Sequence, residues 1–334
     1  MKKRILTGDT PTGKLHLGHY VGTLENRVRL QDEYDTFIVL ADLHALTTLA
    51  KTPAEVAAYT LEVLLDNLAV GLDPAKTTFF AESLVPEIYE LAAIFSMYVT
   101  HNRALRNPTI KEEIKLKELG DRFSLGFINY PIYQAADILA VAGELVPVGV
   151  DQLAHVEQAR EIARDLNSLC HREVLAVSEP LVGRVGRLCG LDGKAKMSKS
   201  LGNCIYLSDD ADTVKSKVNK MYTDPTRLRA TDSGHIEGNV VFTYLDVFGR
   251  DKEEVEALKK DYIAGRLGDV AAKEKLTKIL NEFLDPIRER RRYYEGRPEE
   301  VLEILKTGTS HARGIAAETL EKVKEAMGIS YFKG

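Results

Sequence analysis

The sequence predicts an α/β protein in which a doubly wound parallel sheet precedes a C-terminal α-helical domain. Strand-like apolar runs alternate with helix-like runs over the first two hundred residues, and this order is typical of a parallel sheet covered by helices on both faces. Beyond Leu201, strand signals become scarce and Lys/Glu-rich amphipathic patterns dominate. The 334 residues are enough for a large core and two domains.

Short apolar runs mark the predicted strands. Ile5-Leu6 forms the first, which we expect to end where Thr7-Gly8 breaks the run, and the others are 36–41, 77–81 and 145–148. Helices are predicted between them over 52–70, 86–99, 109–120, 130–141 and 151–166. Further helices are predicted over 208–221, 251–264, 268–294, 298–306 and 309–327. We divide the chain into an α/β domain at 1–203, a helical domain at 204–300 and C-terminal helices at 301–334.

Composition limits the function classes. Hydrophobic residues make up 44% and charged residues 28% of the chain, which is ordinary for a globular protein. We expect neither a membrane span nor a signal peptide, since no run of eighteen apolar residues occurs. Three widely spaced cysteines suit a reduced, cytoplasmic protein. A net charge of −5 argues against indiscriminate binding of nucleic acid, and DNA is not an expected partner, although a local basic patch can hold RNA.

The first motif is His16-Leu-Gly-His19, which follows the first predicted strand. We expect a helix to begin near Leu15 and to place His16 and His19 on one face, because positions i and i+3 are neighbours. Gly18 would let a ligand approach the backbone. Such a helix start is a natural phosphate site. Zinc is the alternative ligand, but no carboxylate or cysteine stands at ligand spacing, so we expect no metal held by protein side chains.

The second motif is Lys196-Met-Ser-Lys-Ser200, within a Gly/Lys-rich segment at 190–202. Two lysines three positions apart, with two hydroxyls, suit a mobile loop that grips a triphosphate and follows the charge of leaving pyrophosphate. A solvated basic loop is the alternative for either lysine alone. It explains the two motifs together poorly.

Together the motifs resemble the paired signature of class I aminoacyl-tRNA synthetases, and the whole chain resembles the bacterial tryptophanyl-tRNA synthetase family. Further segments that carry the resemblance are 7–13, 106–109, 130–137, 146–152, 221–225 and 236–239. The resemblance implies a Rossmann-type sheet, ATP with Mg²⁺ as cofactors, and L-tryptophan and tRNA(Trp) as partners. It also implies an anticodon-binding role for 204–300, a last helix that packs back on the first domain, and a homodimer.

The reaction that the resemblance implies needs no enzyme nucleophile, because the carboxylate of the amino acid attacks the α-phosphorus of ATP. The catalytic residues would be Lys196, Lys199, His16 and His19. The ATP-binding residues would be Thr10, Pro11, Thr12, Gly18, His19, Gly149, Val150, Asp151, Arg187, Lys196, Met197, Ser198, Lys199 and Ser200. Asp151 stands at a strand-to-helix junction, where open α/β sheets place their ligands, whereas Arg187 could equally be a solvated arginine.

The amino-acid site is predicted on helix 130–141, where one stripe contains Tyr130, Gln134, Asp137 and Val141. A charged Asp137 on so apolar a helix needs a partner, because burying it unpaired is costly. That partner is either the indole N–H of the substrate or a group of the protein. By resemblance, Tyr130 and Gln152 would hold the substrate amino group and His44 would lie near its carboxylate. The alternative for His44 is a core histidine.

Several alternatives stay open from the sequence. Gln134 keeps a tyrosyl-tRNA synthetase homologue open, because the related tyrosyl enzymes use the same three residue types, Tyr, Gln and Asp, for their substrate. A non-tRNA adenylating ligase and a non-catalytic relative are the other two. For tRNA, the basic runs are 288–292 and the lysines Lys215, Lys217 and Lys220, each of which could equally be a solvated face. The apolar segment 91–99 could form a subunit seam.

Overall fold

The structure is a computed structural model that describes residues 2–116, 120, 122–182, 188–194, 197–199, 201–227, 229 and 231–331, with the backbone alone at 116 and 151. It confirms the predicted α/β class. In chain order the strands are β1 (Arg4–Asp9), β2 (Asp35–Leu40), β3 (Thr77–Ala81), β4 (Leu145–Val148) and β5 (Glu179–Val182). They form one parallel sheet in the order β3-β2-β1-β4-β5.

Helices surround and follow the sheet strands along the chain. Those described are α1 (Leu17–His19), α2 (Glu25–Leu30), α3 (Asp42–Leu49), α4 (Val56–Ala69), α5 (Pro86–Ser96), α6 (His101–Arg106), α7 (Pro108–Leu116), α8 (Leu125–Ala140), α9 (Leu153–Leu169), α10 (Ala211–Asn219), α11 (Val240–Phe248), α12 (Lys252–Ile263), α13 (Asp269–Glu295) and α14 (Pro298–Ala326). A π-helical turn spans Tyr20–Leu24, and 3₁₀ turns span Pro53–Glu55, Glu82–Leu84 and Val150–Gln152. Among these described helices, none has the length and apolar character that a membrane crossing requires.

β1 is longer than its apolar run indicated. The prediction that it ends at Thr7-Gly8 is wrong, because both residues pair with β2, Thr7 with Ile38 and Gly8 with Val39. A Cβ added to Gly8 would lie 2.3 Å from Val39 Cγ1, so glycine is needed where the two strands approach so closely. β1 therefore ends at Asp9, and segment 10–13 leaves from the carboxyl edge of the sheet.

α14 is one continuous helix, and the prediction of two helices over 298–306 and 309–327 is wrong. Gly308 lies between the two predicted ranges, and a Cβ at this position would lie 2.1 Å from the carbonyl oxygen of Phe79. The next residue, Thr309, accepts a hydrogen bond from the Ala81 N–H at 3.2 Å. The glycine thus lets α14 lie directly against β3. α14 also packs against α5 and α8.

Sequence analysis missed the short helices α2, α3 and α6, and it also missed β5 and α11. β5 contains Pro180, which argues against a strand, but β5 is the edge of the sheet and an edge strand tolerates proline. α11 is a mostly apolar segment rich in valine and aromatic residues, which are also frequent in strands. Asn239 caps it, accepting a hydrogen bond from the Val241 N–H at 3.1 Å.

The sheet core includes much of the segment that was predicted as a subunit seam. Leu91, Ala92 and Phe95 of α5 are buried in the cluster that also holds Leu6 and Phe37. The prediction for 91–99 is therefore wrong for its apolar centre, because those side chains already pack inside one subunit. At the end of the segment, Met97 and Tyr98 are exposed.

The chain divides into two compact units. The first comprises Met1–Gly13, Thr23–Gly183 and Tyr294–Gly334 and contains the sheet. The second comprises Lys14–Gly22 and Arg184–Tyr293. It is mainly helical and has its own core, which includes Val214, Leu245, Tyr262, Leu276 and Leu280. The boundaries 203/204 and 300/301 stay a prediction.

Candidate active site

The first motif forms a helix start in the second unit. His16 is the N-cap of α1, and its Nδ1 accepts a hydrogen bond from the Gly18 N–H at 3.1 Å. The His19 Nδ1 in turn accepts from the His16 N–H at 3.1 Å, and the two ring centroids are 3.8 Å apart. The two rings thus lie side by side, but the reciprocal capping box starts the helix at Leu17 rather than near Leu15, with His16 as its N-cap.

The backbone N–H of Gly18, predicted to approach a ligand, already has partners. It donates to His16 Nδ1 and also to the Met197 Sδ at 3.3 Å. A neutral imidazole whose Nδ1 accepts a hydrogen bond carries its proton on Nε2. In their neutral forms, His16 and His19 therefore carry Nε2–H groups, and such groups can donate hydrogen bonds to phosphate oxygens.

A short backbone pairing joins the first motif to the chain that follows the second. The Leu17 N–H donates to the Ile205 carbonyl at 3.0 Å, and the Leu207 N–H donates to the Leu15 carbonyl at 3.0 Å. His16 and Tyr206 form an antiparallel bridge between them. Within the second unit, main-chain hydrogen bonds thus connect the first motif to residues 205–207, a few positions after the second motif.

The second motif is held at its described residues. The Met197 N–H donates to the Leu188 carbonyl at 3.1 Å, and the Met197 side chain is buried. The Ser198 N–H donates to the Asn203 Oδ1 at 2.8 Å, while Lys199 is half-buried. Asn203 comes so close to Gly190 that an added Cβ would lie 2.0 Å from its Nδ2. Arg187, Lys196, Ser200 and the side chain of Asp151 lie outside the described residues.

The remaining ATP-site predictions fall at two strand ends of the first unit. Thr10, Pro11 and Thr12 follow β1, and Gly149 and Val150 follow β4. β1 lies between β2 and β4 in the sheet, so the strand order reverses between β1 and β4. Open α/β sheets bind their ligands at the carboxyl ends of strands at such a switch point.

A buried ion pair fixes the end of β1 just before that segment. The Arg27 guanidinium donates to both carboxylate oxygens of Asp9, at 2.6 and 3.1 Å, and to the Gly8 carbonyl at 2.9 Å. Asn67 also donates to Asp9, at 3.0 Å. Arg27 and Asp9 are both buried. A bidentate arginine–carboxylate pair is geometrically specific, so it sets the direction in which segment 10–13 leaves the sheet.

The amino-acid site predicted on α8 contains a buried carboxylate. Asp137 is 2% exposed, and among the described residues no group hydrogen-bonds its Oδ1. Burial, with the negative charges of Glu82 and Asp42 nearby, raises the pKa of the Asp137 carboxyl well above its usual value. The prediction that Asp137 needs a partner is consistent with this environment, and the described protein does not supply one at Oδ1.

Glu82 and Asp42 complete an acidic group around this carboxylate. Glu82 is buried, and burial followed by repulsion from Asp42 raises its pKa to about 7, although the His44 N–H donates to its Oε2 at 3.1 Å. Asp42 Oδ1 accepts from the Ser83 N–H at 2.8 Å. Burial and the same negative charges raise the pKa of the half-buried Tyr89 hydroxyl. A site of this kind favours a ligand that donates hydrogen bonds.

The other predicted amino-acid-site residues form pairs. The His44 and Tyr130 rings are 4.5 Å apart, centroid to centroid, and Gln134 Nε2 donates to Gln152 Oε1 at 3.3 Å. Gln134 therefore contacts another predicted site residue. Val141 is the C-cap of α8 and is fully buried in the core.

Sequence reasoning missed Glu82 and Asn107 as members of this neighbourhood. Glu82 directly follows β3 and Asp42 follows β2 one residue after its end, so both stand at carboxyl ends of neighbouring parallel strands. That position was the available signal. Asn107 was quoted within the segment 106–109 but given no role, because nothing local shows that it meets residues of α9.

These residues define an α/β protein whose parallel sheet has a switch point of the kind at which such sheets bind ligands, and whose α8 carries a buried carboxylate. The family of class I tRNA synthetases (W and Y) matches residues 1–285. A tryptophan–tRNA ligase of Clostridium longisporum is 51% identical over 335 residues, with coverage of 99% of this chain and 98% of the relative. The chain therefore belongs to the class I tRNA synthetases of the tryptophan and tyrosine branch, which are aminoacyl-tRNA synthetases, as the resemblance implied.

Solved structures agree with this assignment. Tryptophanyl-tRNA synthetase from Campylobacter jejuni, in complex with ADP and tryptophan, has a TM-score of 0.83 and 32% identity, covering 97% of this chain and 99% of that chain. Tyrosyl-tRNA synthetase from Archaeoglobus fulgidus, in complex with L-tyrosine, has a TM-score of 0.65 and 27% identity, covering 87% of this chain and 90% of that chain. The Rossmann-type fold is thus confirmed.

Proposed function

We propose that this chain is a tryptophan–tRNA ligase that converts L-tryptophan and ATP to tryptophanyl-adenylate and pyrophosphate, and then transfers tryptophan to tRNA(Trp). The observation that carries the proposal is the buried Asp137 Oδ1, which has no hydrogen-bond partner among the described residues. An indole N–H is the donor that would satisfy it. The 51% identity to a tryptophan–tRNA ligase over nearly the whole chain supports the same substrate.

In the amino-acid site, Asp137 would select the indole, and Tyr130 and Gln152 would hold the ammonium group. His44 would lie near the substrate carboxylate, since its ring contacts Tyr130. Hydrogen-bonded selection of a large substrate can discriminate by about 10⁴-fold or more. An editing site is therefore not required.

At the phosphates, the Nε2–H groups of His16 and His19 would donate to oxygen atoms, and Lys196, Ser198 and Lys199 would hold the β- and γ-phosphates. Mg²⁺ bound with the nucleotide would neutralise part of the charge on those phosphates. Thr10, Pro11, Thr12, Gly18, Gly149, Val150, Asp151, Arg187, Met197 and Ser200 would complete the nucleotide site. The chain contributes position and charge, and pyrophosphate leaves as the substrate carboxylate bonds to the α-phosphorus.

For tRNA, the basic run at 288–292 is a weaker candidate than its sequence indicated. Arg288 and Arg291 are buried, and Arg288 donates to the Asp209 carbonyl at 2.7 Å. The phosphates of the tRNA would instead be contacted by the exposed side chains of Arg292, Lys215 and Lys220. A homodimer in the cytoplasm, where the three free cysteines stay reduced, completes the proposal.

The test is amino-acid-dependent exchange of labelled pyrophosphate into ATP, run without tRNA and with each of the twenty amino acids. Exchange with tryptophan alone is the expected result. Exchange with tyrosine alone would instead favour the tyrosyl-tRNA synthetase alternative. Pyrophosphate exchange without subsequent aminoacylation of any tRNA, even at low salt, would favour the adenylating ligase. The absence of exchange with every amino acid would overturn the proposal.

A further inference from the structure

A fully buried polar chain lies behind the hydroxyl of Tyr130. It begins at Asn107, between α6 and α7, which is completely buried. The Asn107 Oδ1 accepts a hydrogen bond from the Thr109 N–H at 3.0 Å. A backbone N–H can only donate, so this contact fixes which amide atom of Asn107 is the oxygen.

The orientation of Asn107 fixes the proton on His155. Asn107 Nδ2 lies 3.1 Å from His155 Nδ1 and 3.3 Å from Gln158 Oε1, so its two hydrogens point to these atoms. His155 Nδ1 is therefore an acceptor, and the ring carries its hydrogen on Nε2. An imidazolium would set an Nδ1–H against the amide hydrogens of Asn107. His155, which is completely buried, is held as one neutral tautomer.

The fixed tautomer determines how the Tyr130 hydroxyl is used. His155 Nε2 lies 3.2 Å from Tyr130 Oη, so its N–H donates to the phenol oxygen. The hydroxyl donates its own hydrogen to Glu113 Oε1 at 3.4 Å. The rings of His44, at 4.5 Å, and His155, at 5.2 Å, also hold the Tyr130 ring in place.

We propose that His155 is a positioning residue of the amino-acid site, and that the chain Asn107–His155–Tyr130 makes the Tyr130 oxygen an acceptor for the ammonium group of the substrate. This inference rests on the proposed function, in which Tyr130 contacts that group. A hydroxyl whose hydrogen is directed to Glu113 cannot point that hydrogen at a cation. The arrangement thus favours an amino acid in its ammonium form, whatever its side chain.

The test compares three substitutions of His155. His155→Leu keeps much of the volume but removes both ring nitrogens. His155→Gln restores an amide that can accept from Asn107 and donate to Tyr130, whereas His155→Asn accepts from Asn107 but is too short to reach Tyr130. We expect KM for the amino acid that the wild type activates to rise about 10-fold in the Leu and Asn variants, as for one lost hydrogen bond. KM for ATP should stay within about twofold, and His155→Gln should remain within about threefold of wild type for both.

Repeating the His155 substitutions in Tyr130→Phe protein separates the positioning role of His155 from an effect on folding. In Tyr130→Phe protein the acceptor oxygen is gone, so the difference between the Gln and Asn variants of His155 should disappear. If the Leu variant does not fold, this comparison of Gln with Asn still decides the question. Equal KM values for the Gln and Asn variants in the Tyr130 background, or an unchanged difference in the Phe background, would overturn the positioning role. Wild-type protein that exchanges with no amino acid would overturn the proposed function itself.

Discussion

Removing the charge of Asp137 should weaken tryptophan binding and stabilise the protein at the same time. Two substitutions separate the contributions. Asp137→Asn keeps the shape and a neutral acceptor, while Asp137→Leu removes the acceptor. A hydrogen bond to a charged acceptor contributes about 1.5–3 kcal/mol, against about 0.5–1.5 kcal/mol for a neutral one. The Asn variant should therefore bind tryptophan about 10-fold more weakly, and the Leu variant about 100-fold more weakly.

Stability should change in the opposite direction, because the unliganded protein holds a 2%-exposed carboxylate whose Oδ1 lacks a partner among the described residues. Replacing such a group by an apolar one of similar size relieves an unsatisfied polar atom, which costs about 1–3 kcal/mol. We expect the free energy of unfolding of the Leu variant, without ligand, to rise by about 1–2 kcal/mol. Asp165→Asn, on the exposed surface of α9, is the matched control and should change neither quantity.

The chain itself provides the assay. It contains no tryptophan residue, so excitation at a wavelength that tyrosine barely absorbs yields emission from the ligand alone. The anisotropy of that emission separates bound from free tryptophan, and urea unfolding measures the stability. Affinity and stability that fall together in the Leu variant would refute the reasoning, because Asp137 would then be a structural partner within the protein. Unchanged affinity in both variants would refute the role of Asp137 as selector.

Three further predictions concern pH, the second motif and packing. In the folded protein the pKa of Glu82 is about 7, above its usual 4.5. The free energy of unfolding of the unliganded protein should therefore fall as pH rises from about 4.5 to about 7, by up to about 3 kcal/mol. Glu82→Gln should flatten this decline in thermal unfolding, and an equal dependence of stability on pH in both proteins would contradict the prediction. Lys199→Ala should lower kcat of adenylate formation by about 100-fold or more while the dissociation constant for tryptophan changes less than about twofold; equal losses in rapid-quench and binding experiments would remove its assigned role. Gly308→Ala should cost about 1–3 kcal/mol in urea unfolding, because its Cβ would meet the Phe79 backbone at 2.1 Å. Gly314→Ala on the same helix, where an added Cβ meets no described atom within 4 Å, should be neutral or stabilising, and equal effects of the two would count against the packing argument.

The strands of the sheet core were predictable because buried parallel strands are continuous apolar runs. β2, β3 and β4 agree with the predicted 36–41, 77–81 and 145–148 within a residue. Two of the errors lie at glycines: β1 was ended at Thr7-Gly8, and the last helix was divided on either side of Gly308. The use of each glycine is set by a distant partner. A Cβ at either position would collide with another element, Val39 in one case and Phe79 in the other. Tertiary contact is not visible in local sequence.

The candidate site shows the same division. Asp137 stood out from sequence because a charge on an apolar helix needs an explanation, and its burial fits that reasoning. The orientation of His16 and His19 did not follow from spacing, because an i, i+3 pair fits both a helical face and a capping box. His155 could not be singled out at all, since its partners Asn107 and Tyr130 are remote in sequence and a lone buried histidine is usually structural.

The packing of α14 against β3 also has a consequence for folding during synthesis. All the strands that the structure describes have left the ribosome once Val182 has emerged. The helix whose Thr309 hydroxyl accepts a hydrogen bond from the Ala81 N–H of edge strand β3 begins only at Pro298, more than a hundred residues later. At about 5–20 residues per second, that interval lasts on the order of ten seconds. During synthesis the edge strand β3 of the nascent sheet is therefore not yet covered by α14, and it can pair with another nascent chain on the same mRNA. The last helix to be translated closes the domain that the first strand begins.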